Sequence, residues 1–400
     1  MFPNGRSLAS SNVPPIKILQ LTWSGCYPLR TMGGGSIPSL QNGSSITLPA
    51  LIMAASDQLT LLCQVAIDWT KLGASSVTFK ANNPEGLLTS NAYPMTIKDN
   101  AANPTLSFMF ERPDALTKVG ATTFTIEIDA EIAGIWVPIA STSHCLYTVL
   151  HAPIDPWILE SPPLAAAPWL EAVILATKWA TGVSDDDACL GAIAQGFYAT
   201  ARLPEAAGSA PRFAYSDDAS ANYGSDSSYD RHANTVSIET FALRQCIERC
   251  VTGSGGRGQV PSAVYCGDCA NFICLLGRLL GIPVRRLSIS SLTEPSSFDV
   301  SNIVLIGSVS PTTTKFSVHV VATLPPAQGA KSKIYDACIG FKSATGITAA
   351  APLELGDYLP KISGGRSLAD FNICYDDGYS KIFTEPTLQY DYPHDYRSRQ

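Results

Sequence analysis

Residues 1–152 alternate between apolar and polar positions with the two-residue period of half-buried strands. Ile16–Trp23, Leu59–Trp69, Ser76–Lys80, Thr105–Glu111, Thr123–Ala130 and Leu146–Leu150 predict strands, separated by Gly, Pro, Asn and Asp turns. Thr123-Phe-Thr-Ile-Glu-Ile-Asp-Ala is the cleanest case, with one face apolar throughout. Short strands at this spacing predict an antiparallel β-sandwich, broadly immunoglobulin-like in shape. Cys63, inside Leu-Thr-Leu-Leu-Cys-Gln-Val, reads as a buried strand thiol.

The period then changes. Residues 153–168 are proline-rich, which removes backbone donors and stiffens the chain into a packed connector. Trp169–Ala180 predicts an apolar helix. Ser184-Asp-Asp-Asp187 supplies an N-cap and first-turn carboxylates for a helix running to about Ala201. Residues 204–236 predict a long irregular segment, either a lid that contacts substrate or a mobile surface loop. Ser237 caps a third helix with Leu243, Cys246, Ile247 and Cys250 on one face. Val284–Ile289, Asn302–Gly307, Lys315–Leu324 and Lys333–Phe341 predict strands, and the Pro-, Gly- and Tyr-rich chain from about Ala350 is expected to wrap the surface. The fold class is therefore multi-domain: a β-sandwich, the connector, and an α+β domain over residues 169–400.

Composition narrows the function. With 46% apolar and 15% charged residues, the chain has the make-up of a globular protein, and 400 residues suggest two or three domains. The 27 basic and 34 acidic side chains give a net charge of −7 and no basic stripe, which argues against nucleic acid as a partner. No apolar run reaches transmembrane length, and the N-terminus lacks an apolar signal core. The expected location is cytoplasmic, or exported by a leaderless route. Eleven cysteines, an odd number scattered through apolar segments, fit a reducing compartment.

The chemistry concentrates near residue 266. Cys266 opens a run with Phe272, Ile273, Leu275, Leu276, Leu279 and Leu280 at helical spacing, ended by Gly281 and Pro283. A thiol at a helix N-terminus sits at the positive end of the macrodipole, which favours the nucleophilic thiolate. Such a nucleophile needs a base, and the base an orienting group. His319 lies in Phe-Ser-Val-His-Val-Val-Ala, where alternation turns it away from Phe316, Val318 and Val320. Asp336 follows 17 residues later, with Pro325, Pro326 and Gly329 between, which suits two antiparallel strands and a turn. The other histidines, His144, His151, His232 and His394, lie outside this unit.

Cys266, Asp268 and Ala270, the Leu-rich helix and Gly281-Ile-Pro-Val-Arg285, followed by a strand His and a strand Asp, resemble the transglutaminase-like group of papain-type thiol enzymes. The resemblance covers roughly residues 165–345. It implies a Cys266–His319–Asp336 triad, a thioacyl intermediate, no cofactor, and a protein or peptide substrate. Animal transglutaminases carry Gln directly before the Cys, where this chain has Tyr265, and their calcium sites have no counterpart here. The expected reaction shifts accordingly from cross-linking to hydrolysis of a peptide, isopeptide or glutamine-amide bond. Gln259 lies near where papain-type enzymes keep an oxyanion-hole Gln; the Cys266 backbone N–H is the other candidate donor.

Four alternatives stay open. Cys246, Cys250, Cys266 and Cys269 supply four thiols that zinc could bind, which would lock Cys266 as a ligand. Cys269 competes with Cys266 as nucleophile but lies almost a turn into the helix. The chain could also be a silent scaffold whose sandwich binds other proteins, or a toxin-like effector using the same three residues.

Overall fold

The computed structural model describes residues 15–32, 48–53, 58–88, 95–98, 103–111, 117–154, 157, 167–204, 210–216, 241, 243–253, 261–292, 297–325 and 329–376. The first part is built from β1 (Ile16–Ser24), β2 (Leu48–Met53), β3 (Gln58–Ile67), the short helix α1 (Trp69–Leu72), β4 (Ser76–Asn82), β5 (Met95–Lys98), β6 (Thr105–Glu111), β7 (Gly120–Ile132) and β8 (Ile135–Val149). They form two sheets, β1-β3-β6 and β2-β8-β7-β4-β5. Alternation decides which side chains turn inward: Leu106, Phe108 and Phe110 of β6 are buried while Ser107 and Met109 face out. Leu61 and Phe108 of the first sheet share one core with Phe79, Ile126 and Ile128 of the second. One pairing departs from the antiparallel expectation, since β2 runs parallel to β8.

The second part contains α2 (Leu170–Trp179), α3 (Asp186–Ala201), β9 (Phe213–Tyr215), α4 (Leu243–Thr252), β10 (Ser262–Val264) and α5 (Cys266–Leu279). It continues with β11 (Arg285–Ser291), β12 (Phe298–Leu305), β13 (Thr312–Phe316), β14 (Val318–Thr323), β15 (Lys333–Ser343), β16 (Gly346–Glu354), α6 (Leu355–Ile362) and β17 (Phe371–Asp376). The main sheet has the order β13-β12-β15-β14-β11-β17, with β16 on β15. Helices α3 and α5 pack against this sheet, α2 and α4 pack on α3 and on each other, and α6 lies against β12, β15 and β16 in a separate core. Helix α5 is buried on almost every side, its polar Asp268 and Asn271 included. It ends at Gly281, whose φ of 83° lies in the left-handed region, and a Cβ there would strike the backbone of His151 and Ala152. From the proline-rich stretch, Trp157 is fully buried and donates its indole N–H to the Leu275 carbonyl at 2.7 Å.

Several expectations are corrected. The stretch Lys315–Leu324 is two strands broken at Ser317, because β13 pairs with β12 whereas β14 pairs with β11 and β15. The break leaves Val318 46% exposed rather than in the core, and brings Phe316 to the same side as His319. The chain after Ala350 does not simply wrap the surface. It completes β16, then α6, whose Leu355, Tyr358, Leu359 and Ile362 are buried, and then β17 against β11. Pro360 inside α6 masks its helical spacing in the sequence. Within 204–236, Phe213–Tyr215 form a strand parallel to β10, and residues 217–236 lie outside the described residues, as do Ser237 and the chain beyond residue 376.

Candidate active site

Cys266 is the first residue of α5, delivered there by β10. Asp268 fixes the entry: its carboxylate accepts the Tyr265 backbone N–H at 3.2 Å, tying the chain back over the first turn. The thiol is 5% exposed and lies 3.9 Å from the Val318 carbonyl. Ser317 and Val318 above it are exposed, so the sulfur sits just below the surface at the start of β14.

His319 follows Val318 and is fully buried. Strand β14 holds it opposite Ile289 of β11, and Phe316 stacks on its ring at 4.6 Å between centroids. Asp336 stands where β15 changes partners: β14 pairs with its start, at Ile334 and Tyr335, and β12 with its later part, at Ile339 and Gly340. One step along the β14 register places Asp336 opposite Val321, on the same face as His319. The two side chains meet there, His319 Nε2 to Asp336 Oδ2 at 2.9 Å. The other carboxylate oxygen accepts the backbone N–H groups of Cys338, at 2.7 Å, and Ile339, at 3.3 Å.

Tyr358 of α6 completes the cluster and was not anticipated. Its hydroxyl donates to Asp336 Oδ2 at 2.7 Å and lies 2.8 Å from His319 Nε2. Nothing in its local sequence marks it, apart from its place on the apolar face of a short helix.

The electrostatics follow from this packing. Burial works against a charged imidazole, but the charge and hydrogen bond of Asp336, and then Cys266, outweigh it and raise His319 to about 10. Nε2 is committed to the carboxylate, while Nδ1 is buried with no hydrogen-bond partner among the described residues. Burial holds the Tyr358 hydroxyl well above its ordinary value, as does the Asp336 charge, so it remains a donor. The cluster thus contains a thiol, a strongly basic imidazole with one unengaged nitrogen, and a carboxylate with both oxygens hydrogen-bonded.

Other candidates fall elsewhere. Cys269 is buried and burial pushes it up to about 11, so it keeps its proton at neutral pH, with Cys338 beside it. Cys246 and Cys250 interact with each other on α4, and burial raises Cys246 well above its ordinary range. Among the described residues no three His, Cys, Asp or Glu side chains converge as a metal site, so the four thiols of the zinc reading do not form one. His144 is buried in the first core with Thr142 at 2.8 Å, and burial lowers it to about 4. His151 pairs with Asp186 at 2.9 Å on the surface. Gln259, His232 and His394 lie outside the described residues.

Comparison with known proteins gives little beyond this geometry. No family model matches the chain, and no curated protein matches it. Among solved structures, the crystal structure of red sea bream transglutaminase is similar over 73% of this chain and 49% of its own, at 8% identity and a TM-score of 0.31. The chain therefore spans about half the length of that structure. The likeness is distant and has no bearing on activity. No helix among the described residues is long and apolar enough to cross a membrane.

Proposed function

We propose that this protein is a cysteine-dependent acyl-transfer enzyme that hydrolyses a peptide, isopeptide or glutamine-amide bond, with Cys266 as nucleophile, His319 as base and Asp336 as its orienting partner. The observation that carries this reading is the His319 hydrogen-bond pattern: Nε2 is bound to Asp336 and Nδ1 has no hydrogen-bond partner among the described residues, which supports assigning the thiol proton to Nδ1. In the proposed reaction the Cys266 proton already rests on Nδ1, as the raised His319 favours, and the thiolate attacks the amide carbonyl. The Cys266 backbone N–H, at the first position of α5, has no intrahelical acceptor and can hold the oxyanion. The imidazolium then protonates the leaving amine, and water releases the acyl group from sulfur. Gln259 is retained as a second oxyanion donor within the same proposal.

A second reading has one observation in its favour. Cys266 is only 5% exposed, which suits a silent scaffold whose immunoglobulin-like N-terminal sandwich binds a protein partner. The two readings separate on turnover. A panel of fluorogenic peptide, isopeptide and glutamine-amide substrates should be cleaved by wild type and not by Cys266→Ser or His319→Ala, with all three proteins folded. Cleavage by Cys266→Ser at the wild-type rate would eliminate the thiol mechanism.

A further inference from the structure

We propose that Tyr358 is a positioning residue that holds the His319 imidazole, in one orientation and one tautomer, toward the Cys266 thiol. This rests on the thiol chemistry proposed above. Three distances define the arrangement: Tyr358 Oη to Asp336 Oδ2 at 2.7 Å, Tyr358 Oη to His319 Nε2 at 2.8 Å, and His319 Nε2 to Asp336 Oδ2 at 2.9 Å. A phenol has a single proton, and here it goes to the carboxylate. The phenol oxygen can then only accept from Nε2, so the Nε2 proton is shared between Asp336 and Tyr358. An imidazole turned over about Cβ–Cγ would put Cε1–H where Nε2–H now meets the two oxygens and lose both hydrogen bonds. Nε2 carries hydrogen in either charge state of the ring, so Nδ1 is the nitrogen that exchanges the proton with Cys266. Proton transfer then breaks the Cys266 S–H bond, forms Nδ1–H and leaves Nε2–H in place.

The surroundings favour a positioning role over simple filling. The Tyr358 ring lies nearly parallel to His319, at 14°, and Phe316 stacks on the imidazole at 17°. Tyr358, His319 and Asp336 are all essentially inaccessible to solvent, so water cannot replace the hydroxyl without opening the core. Tyr358 also arrives from α6, whereas His319 and Asp336 come from neighbouring strands, so the contact ties the helix to the reactive cluster.

The test is Tyr358→Phe, which keeps the ring and removes only the hydroxyl. Iodoacetamide labelling of Cys266 is followed by mass spectrometry against pH, with thermal unfolding measured in parallel. The expected result is an upward displacement of the labelling midpoint and about tenfold slower labelling near neutral pH, the worth of one hydrogen bond to a charged group. A merely structural tyrosine would lower the unfolding temperature and leave the profile in place, and that outcome overturns the proposal. If Tyr358→Phe does not fold, 3-fluorotyrosine at position 358 keeps the ring and makes the hydroxyl more acidic; an unmoved midpoint there overturns it equally. If wild-type Cys266 labels no faster than the exposed Cys374, the thiol-enzyme reading itself fails. A fast wild type on which Tyr358→Phe superimposes sinks only the role of Tyr358.

Discussion

Replacing Asp336 by Asn should reverse the way His319 couples stability to pH. In the wild type His319 is raised from 6.5 to about 10. That difference corresponds to at most about 5 kcal/mol in favour of the imidazolium, with Cys266 supplying part of it. A histidine raised on folding stabilises fully below its unfolded value near 6.5, and this is lost as pH climbs through about 10. In Asp336→Asn the counter-charge is gone and burial acts alone, so the ring is driven neutral. Its contribution is then present above the unfolded value and lost as pH falls below it. The variant should be less stable overall, by roughly 3–5 kcal/mol near neutral pH, because a buried pair has lost one partner. Between pH 6 and 9.5 the gap from wild type should be largest at the acid end and narrow by several kcal/mol toward pH 9.5. Urea unfolding across that range reads it directly. Repeating it in a Cys266→Ala background removes the thiol's share, and His319→Ala with the double variant closes a cycle that cancels other titrations. A gap that stays constant with pH would refute the claim that Asp336 holds a proton on His319.

Two further predictions test the scaffold. The Asp185 side chain caps α3 by accepting the Ala188 N–H at 2.8 Å, so Asp185→Ala should cost about 1 kcal/mol in urea unfolding without changing Cys266 labelling. A Cβ at Gly340 would fall on the hydroxyl of the fully buried Tyr198, which donates to the Val304 carbonyl at 2.9 Å. Gly340→Ala should therefore cost at least about 1–3 kcal/mol in urea unfolding, because the Tyr198 ring carbon Cζ and the Thr348 carbonyl oxygen crowd the same position.

How much was legible in the sequence depends on whether the signal was local. The α3 cap, the buried face of α4 and the span of α5 were written in short-range patterns: carboxylates at a helix start, Cys246, Ile247 and Cys250 on one stripe, and Gly281 with Pro283 as a stop. The meeting of His319 and Asp336 followed from their spacing across one turn. Partner exchange was not legible. The break at Ser317 arises because consecutive strands pair with different neighbours, and β2 runs parallel to a strand almost a hundred residues away. Helix α6 was hidden by Pro360 and by a composition that reads as surface. Tyr358 was lost with it, since its meaning lies in what it touches.

The most direct test of the central claim is the rate of iodoacetamide labelling at each cysteine of the folded wild type, read by mass spectrometry as pH is varied. Cys374 is exposed and serves as the internal reference. If His319 accepts the Cys266 proton, Cys266 should label faster than Cys374 below pH 8 despite its burial, and His319→Ala should abolish that advantage. Labelling of Cys266 slower than Cys374 across the range, and indifferent to His319, would contradict the account.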